Sequence, residues 1–458
     1  MPSRILKSHL EREPALARMI EIDAEIAKIG GRIAVLKSLR WPPAVERRFL
    51  KDFKAGRTRL PKVQLQRPAL EREARALDRL MRGSDDGHPL GRWLHRTAWS
   101  YRLAVAMLRN LGHARFTLAS VALYGRPDAR PRGQPQTHLE LAEHVLRITD
   151  ELLGRYRVAD APETIPARRF ARRVRERIAD FFTEHEVRVE LIPALPSRAT
   201  AGSRRICVRA DATFSELELE QLVQHEAFVH TATALNGRRQ RYFKSLGLGS
   251  PRTTPDQEGL AAFAEIMSGA LDVNRLRRLA LRVRMVQRAL DGADFIEVFK
   301  GFLDAGQSEA ESFKSSQRIF RGGDARGGGV CFTKDCAYLS GMLRVYAFML
   351  QALHQDRPEL INAIFAGRMT VADVIELAPY FESGLFRYAL YVPPWAQDAR
   401  RLLAVLSFFT VASRLRLEQS TLQGFTVAED EVYQDSLRHW HPRRREKTAL
   451  PGHAATSL

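Results

Sequence analysis

Residues 213–237, TFSELELEQLVQHEAFVHTATALNG, are the most informative segment of this 458-residue chain, because they predict one long helix with distinctive polar side chains. The segment opens with Thr213-Phe-Ser-Glu216, which has the form of a capping box at a helix N-terminus. It closes with Asn236-Gly237, a pair that is typical of helix C-termini. Leucine and valine residues at helical spacing lie between these ends. The pattern therefore predicts a helix over roughly residues 215–236.

The middle of this predicted helix carries His225, Glu226 and His230 in an H-E-x-x-x-H pattern. In the shorter H-E-x-x-H form, two histidines one turn apart bind zinc and the glutamate between them activates water. The extra residue would turn the two histidines about 140° apart on an ideal α-helix. A π-bulge would bring them back to one side, and π-bulges favour functional sites. A shared metal therefore requires a π-bulge between His225 and His230, and a regular helix would exclude it.

A catalytic zinc ion needs a third protein ligand and an open coordination position. Residues 253–265, TTPDQEGLAAFAE, predict a second helix that begins at Thr254 and has Gln257 in its capping box. Glu258 lies in the first turn of this helix and is the third candidate ligand. The small residues that follow allow a close approach to the first helix, and Glu265 can orient a histidine ligand from the same face.

A glycine-rich segment at residues 321–335, RGGDARGGGVCFTKD, is the third unusual feature. It is not a P-loop, because the G-K-[ST] ending is missing. The segment could bring Arg321, Lys334 and the nearby Tyr338 to a substrate. Either cation suits the terminal carboxylate of a peptide, and the tyrosine could donate a hydrogen bond to an oxyanion. An equally weighted interpretation is a long surface turn with solvated charges.

Most of the remaining sequence has helical periodicity, whereas strand-like alternation occurs only at residues 186–195 and 204–209, on either side of a Pro/Gly/Ser-rich loop. The predicted fold class is therefore mostly α (α+β) with a small β-sheet. Three regions are predicted: an N-terminal helical region at residues 1–85, a candidate catalytic domain at 86–435 and a disordered basic tail at 436–458.

The composition excludes a wholly disordered chain, because 45 % of the residues are hydrophobic. Lys and Arg number 72 against 53 Asp and Glu, which gives a net charge of +19. This charge permits an acidic protein, nucleic acid or an anionic membrane as partner. An arginine-rich composition is equally typical of a GC-rich genome, and the chain has no known nucleic-acid-binding signature, so nucleic acid is disfavoured.

The cysteines and the apolar segments of the sequence indicate where in the cell the protein is expected. Cys207, Cys331 and Cys336 are too few for a disulfide framework. The N-terminal residues lack the apolar core of a signal peptide. The most apolar stretch, residues 402–412, is shorter than the roughly 20 residues of a membrane span. The sequence therefore predicts a cytoplasmic protein that does not associate with a membrane.

Residues 167–182, ARRFARRVRERIADFF, predict a strongly basic helix. One interpretation is a face that binds an anionic partner. The favoured interpretation is a solvated surface with Phe170, Val174, Ile178 and Phe181 packed inward. The basic helix motivates an alternative function for the whole chain: a non-catalytic, metal-stabilised or metal-free regulatory protein that binds nucleic acid or an acidic partner.

Three motifs in this order carry a family resemblance: HEAFVH at residues 225–230, QEGLA at 257–261, and FRGG with GGVCFTKDCAYLSG between 320 and 341. They resemble the bacterial flavohemoglobin expression-modulating QEGLA motif proteins. That family is similar to the eukaryotic microtubule-associated tyrosine carboxypeptidase, which removes the C-terminal tyrosine of α-tubulin. The resemblance covers about residues 90–430.

The resemblance implies a helical metallopeptidase fold with a small sheet beside the zinc helix. It implies that His225, His230 and Glu258 hold one zinc ion per chain and that Glu226 is the general base. The expected function is a zinc-dependent carboxypeptidase that acts on peptide or protein C-termini, and acidic ones would suit the net charge. The tubulin substrate itself does not carry over to a bacterial chain. One departure is Phe228-Val229, where relatives are expected to have Gly-Thr, and these larger side chains are expected to reshape the substrate cleft.

Overall fold

The computed structural model describes residues 14–84, 86–131, 133–156, 161–193, 195, 197–412, 431 and 434. Helices make up most of the described chain, and the strands are few and short. This architecture confirms the predicted fold class, mostly α with a small β-sheet.

Helices build the N-terminal part of the described chain. They are α1 (Pro14–Gly30), α2 (Val35–Ser38), α3 (Pro43–Lys54), α4 (Glu71–Arg82), α5 (Pro89–Arg109), α6 (Ala114–Tyr124), α7 (His138–Tyr156) and α8 (Ala167–Ala179). The helices of the remainder are α9 (Glu216–Leu222), a π-helix (Val223–Thr231), α10 (Ala232–Arg238), α11 (Thr254–Met267), α12 (Val273–Leu290), α13 (Phe295–Asp304), α14 (Glu309–Phe320), α15 (Ala337–His354), α16 (Glu359–Ala363), α17 (Val371–Glu376), α18 (Ala378–Glu382), α19 (Pro394–Gln397) and α20 (Ala399–Ala412). Short 3₁₀ turns occur at Lys244–Gly247, Pro251–Thr253 and Thr333–Cys336.

Five strands form two small sheets. They are β1 (Ile165–Pro166), β2 (Arg188–Ile192), β3 (Ala199–Ala201), β4 (Arg205–Arg209) and β5 (Thr213–Phe214). In the three-stranded sheet, β4 is central, parallel to β2 and antiparallel to β3. The two strands predicted from alternation are confirmed as β2 and β4. Strand β3 lies within the predicted loop. Three residues are too few to predict a strand, and it is the pairing with β4 that makes Ala199–Ala201 one.

The first predicted helix runs without interruption from Glu216 to Arg238 through α9, the π-helix and α10. Its capping box is formed by Ser215 and Glu218, so the predicted box at Thr213 and Glu216 is wrong. The reason is that Thr213 belongs to β5, which pairs with β1 and delays the helix start by two residues.

The second predicted helix is α11, which follows the 3₁₀ turn Pro251–Thr253 and has no side-chain cap. The predicted capping box is wrong here too, because the side-chain oxygen of Gln257 accepts a hydrogen bond from Thr233 on α10 at 2.9 Å. Helix α11 crosses α15 where Gly259 lies against Gly341. The two backbones touch because neither position has a side chain, and this contact sets the position of Glu258 relative to α15.

The chain consists of two compact units, Met1–Asp398 and Ala399–Leu458. All candidate site residues lie in the first unit. The predicted boundary at residue 85 stays a prediction, and the predicted tail at 436–458 lies outside the described residues. Among the described residues, the segment Thr333–His354 is long and apolar enough to span a membrane, and 61 % of its apolar window is buried inside the fold. The cytoplasmic location stays a prediction.

Candidate metal centre

The helix that carries the H-E-x-x-x-H pattern contains the wide turn that the spacing predicts. Val223–Thr231 is a π-helix with α-helical segments on both sides. The extra residue in the turn brings His230 round to His225, and the two imidazole rings lie 4.9 Å apart between centroids at 88°. The predicted π-bulge is therefore confirmed, and the two histidines border one space.

Glu258 completes a group of three potential metal ligands. Its Oε2 lies 3.6 Å from Nε2 of His225 and 3.8 Å from Nε2 of His230. One ligand atom from each of the three residues lies within 4.8 Å of the other two. Ligand atoms bound at 2.0–2.2 Å around a tetrahedral zinc ion are about 3.4 Å apart. The three side chains therefore fit a zinc ion after a small contraction.

A buried acid fixes His225 from the side away from Glu258. Nδ1 of His225 lies 2.8 Å from Oε1 of Glu265, whose side chain is 1 % exposed. Arg275 donates two hydrogen bonds of 3.0 Å to the same carboxylate. Burial alone would raise the pKa of Glu265, but Arg275 and His225 lower it to about 2. An ionised Glu265 accepts a hydrogen bond from Nδ1–H and leaves Nε2 of His225 for a metal, in agreement with the predicted orienting contact.

Lys334 is the partner of the third ligand. Its Nζ donates a hydrogen bond of 2.6 Å to Oε1 of Glu258, while Oε2 faces the histidines. Burial alone would raise the pKa of Glu258, but Lys334 and the two histidines hold it well below its usual range. Burial alone would lower the pKa of Lys334, but the negative charge of Glu258 raises it to about 12. This pair favours a role for Lys334 in holding Glu258, and the predicted contact with a substrate carboxylate stays a prediction.

The electrostatics of the centre favour a cation. Burial lowers the pKa of His225, but the hydrogen bonds with Glu258 and Glu265 outweigh it and raise that pKa to about 10. Glu226 adds another negative charge that acts on His225, and its side chain is partly exposed. A divalent cation would bind in this negative field and release the proton of His225, because only neutral imidazole is a ligand.

Tyr338 lies next to Lys334, the residue that binds Glu258. The Nζ atom of Lys334 is 5.1 Å from the centroid of the tyrosine ring. Arg318 donates a hydrogen bond of 3.3 Å to the tyrosine hydroxyl and binds both carboxylate oxygens of Asp335. Because the hydroxyl accepts from Arg318, its own proton remains to be donated. A contact with an oxyanion stays a prediction.

Arg321 precedes the glycine-rich loop, and its guanidinium lies 5.3 Å from the ring centroid of Phe332. Several loop glycines have a positive φ, which non-glycine residues avoid. The two ends of the loop meet where the backbone N–H of Phe332 donates to the carbonyl of Ile319 at 2.7 Å. The loop therefore places Arg321 and Lys334 on neighbouring segments.

Four charged residues of this region carry no distinguishing pattern in the sequence. They are Arg275, Arg282, Arg318 and Asp335. Arg275 and Arg282 lie among the many arginines of α12, Arg318 is an ordinary basic residue in the last turn of α14, and Asp335 is notable only because it directly follows Lys334.

Phe228 and Val229 are both buried. The ring of Phe228 packs against Phe181 with 4.2 Å between centroids. Both side chains therefore pack into the core, and an effect of this pair on the shape of a substrate cleft stays a prediction.

The basic helix α8 packs as the favoured interpretation predicts, with Phe170, Val174 and Ile178 buried. Two of its arginines form ion pairs with the neighbouring helix α9. These pairs are Arg173–Glu216 and Arg177–Glu220. Internal pairing of this kind reduces the charge that α8 offers to an anionic partner.

A family model described as microtubule-associated tyrosine carboxypeptidase matches residues 47–414. The mouse protein Microtubule-associated tyrosine carboxypeptidase 1 is 26 % identical over 200 residues, which are 43 % of this chain and 40 % of the mouse protein. The match thus spans less than half the length of that relative. Among solved structures, the putative lipoprotein from Colwellia psychrerythraea has a TM-score of 0.40 and 12 % identity over 75 % of this chain and 65 % of that chain.

Proposed function

Because this chain belongs to the microtubule-associated tyrosine carboxypeptidase family, we propose that it is a zinc-dependent peptidase, and more specifically a carboxypeptidase that acts on peptide or protein C-termini. The observation that carries the proposal is the convergence of His225, His230 and Glu258 beside Glu226, a glutamate on the same π-helix. A purely structural zinc site has no use for a base beside the metal and closes all four positions with protein ligands.

In this proposal His225, His230 and Glu258 hold the metal. A zinc ion bound there would supply Lewis acidity for the scissile carbonyl and would acidify water. Glu226 takes the proton from the attacking water and passes it to the leaving amine. Tyr338 donates a hydrogen bond to the oxygen on which negative charge develops.

The sheet beside the zinc helix supports the binding of an extended peptide. Thr231 of the π-helix donates a hydrogen bond of 3.0 Å to the carbonyl of Gly202, which directly follows β3. Strand β3 is an edge strand of the three-stranded sheet. We propose that a substrate backbone adds to this edge, in the manner of β-strand addition.

The first experiment is elemental analysis of the purified protein beside the variants His230→Ala and His354→Ala. His354 is an exposed histidine at the end of α15 and serves as the matched control. About one zinc per chain is expected in the wild type and in His354→Ala, with loss in His230→Ala. An absence of zinc from the wild type after zinc is supplied would contradict the proposal.

The second experiment separates metal binding from chemistry. Glu226→Gln should keep its zinc and lose peptide hydrolysis, because Gln lacks the basic carboxylate. Peptides with a free or an amidated C-terminus should be assayed together. Cleavage of the amidated peptides at equal rates would rule out a carboxypeptidase and leave an endopeptidase.

A further inference from the structure

A group of charged side chains beside the metal centre is not balanced in charge. It contains five cations and three carboxylates, an excess of two positive charges. The cations are Arg275, Arg282, Arg318, Arg321 and Lys334, and the carboxylates are Glu258, Glu265 and Asp335.

The cations and the carboxylates of this cationic cluster lie in different layers. The side chains of Asp335 and Glu265 are 2 % and 1 % exposed. Those of Arg318 and Arg282 are 27 % and 17 % exposed. The carboxylates therefore lie deeper, and the partly exposed arginine side chains form the surface of the cluster.

This surface is continuous with the metal centre. Lys334 binds the candidate ligand Glu258 and also lies against the ring of Tyr338. The guanidinium carbons of Arg282 and Arg318 lie 5.6 Å and 5.9 Å from the centroid of the same ring. A molecule bound against these arginines would lie one side chain away from the candidate metal ligands.

The carboxylate of Asp335 is shared between several guanidinium groups. Arg318 takes both of its oxygens, and Arg282 reaches one of them only at 3.9 Å. Burial, and then repulsion by Arg318, lowers the pKa of Arg282 to about 10, and the same two causes lower that of Arg321 to about 10. Within the described part of the chain, Nε of Arg321 is buried and makes no hydrogen bond. Buried cations without enough partners are costly, so the cluster is suited to an anionic ligand.

We infer that the cationic cluster binds the last residue of the substrate and prefers one with two carboxylates, a C-terminal glutamate or aspartate. The inference rests on the proposed function, since it names the substrate class of the same site. The α-carboxylate and the side-chain carboxylate together match the excess of two positive charges. A terminal tyrosine or glutamine would supply only one negative charge and would leave one guanidinium unpaired. Guanidinium groups also match carboxylates with two parallel hydrogen bonds.

The test uses N-acetylated peptides that are identical except for a C-terminal Glu, Gln or Tyr. The value of kcat/KM should be at least about 10-fold higher for the Glu peptide than for the Gln peptide, as expected for a hydrogen-bonded charge pair. Arg282→Gln should reduce this preference, and Arg321→Gln should do the same if the first variant does not fold. Arg288→Gln, an exposed arginine on the same helix α12, should keep the preference. Equal rates for Glu and Gln, or a faster rate for Tyr, would overturn the inference.

A binding measurement separates this inference from the proposed function. Glutarate has two carboxylates and should raise the melting temperature of the purified protein more than its monoamide does, and less so in Arg282→Gln. Stabilisation by glutarate without peptide hydrolysis would support the subsite and contradict the carboxypeptidase. Hydrolysis without any preference for Glu, and equal effects of glutarate and the monoamide, would keep the carboxypeptidase and refute the subsite.

Discussion

The crossing of α11 and α15 gives the sharpest prediction about what holds the metal centre together. Replacing Gly341 with Ala would place a Cβ atom 2.9 Å from the carbonyl carbon of Pro255 and 3.0 Å from Cα of Gly259, and closer still to the carbonyl oxygen of Pro255. Ordinary contacts of this kind are 3.4–4 Å. The contact with the carbonyl oxygen of Pro255 is the tightest, so the two helices must separate by roughly 1 Å or more, and Glu258 lies on the helix that moves.

Two consequences follow from this separation. Overpacking of a well-packed contact costs about 1–3 kcal/mol, which lowers the melting temperature of a protein of this size by about 1–4 °C. Ligand distances at a metal site tolerate deviations of about 0.2 Å. A shift of roughly 1 Å in Glu258 exceeds that tolerance, so zinc affinity should fall by about 10–100-fold, as when a supporting residue is lost.

The assay is thermal unfolding of Gly341→Ala together with zinc competition against a chelator. Gly154→Ala on α7 is the matched control, because among the described residues no atom lies within 4 Å of the Cβ that it would gain. That control should be stabilised by about 0.5–1 kcal/mol and should keep its zinc affinity. Unchanged stability and unchanged zinc affinity in Gly341→Ala would refute the argument that the glycine contact sets the position of Glu258.

Glu265→Gln should lower zinc affinity by about 10–100-fold without unfolding the chain, because Gln no longer holds His225 by an ionised acceptor; chelator competition measures it, and unchanged affinity would contradict the role given to Glu265. Burial outweighs the hydrogen bonds from Ser245 and Lys244 and raises the pKa of Asp23 from 3.8 to about 6, so the folded state binds this proton more tightly. The contribution of Asp23 to the free energy of unfolding, about 3 kcal/mol, is present below pH 3.8 and is lost as the pH rises through 6. Denaturant unfolding from pH 4 to 7 should show this loss in the wild type. An equal loss in Asp23→Asn would disprove the assignment. Burial also raises the pKa of Cys331 to about 12, so a thiol reagent should label it slowly in the native protein and rapidly in urea; rapid native labelling would show that this part of the core opens.

The main features of the candidate site could be predicted from the sequence because they depend on local geometry. Two histidines spaced five residues apart, as His225 and His230 are, cannot share a metal on an ideal α-helix, so the spacing alone required the π-helix that the structure has. The seven-residue spacing from Glu258 to Glu265 placed both on one face of α11 in the same way. Strands β2 and β4 followed from alternation, which is also a local signal.

Features that depend on contacts between distant segments could not be predicted in this way. Pairing of β5 with β1 moved the N-cap from Thr213 to Ser215, and pairing with β4 made a strand of Ala199–Ala201. Asp23 binds the backbone of Ser245, more than two hundred residues away.

The π-helix at Val223–Thr231 was thus determined by the sequence alone, through the order and spacing of residues 225–230. The cationic cluster was not, because an arginine on a helix has the same local pattern whether it faces water or a buried carboxylate. Only the packing of α12, α14 and the Thr333–Cys336 turn brought Arg282, Arg318 and Asp335 together. Spacing along a helix is set by covalent geometry, whereas the partners of a long side chain are set by the fold around it.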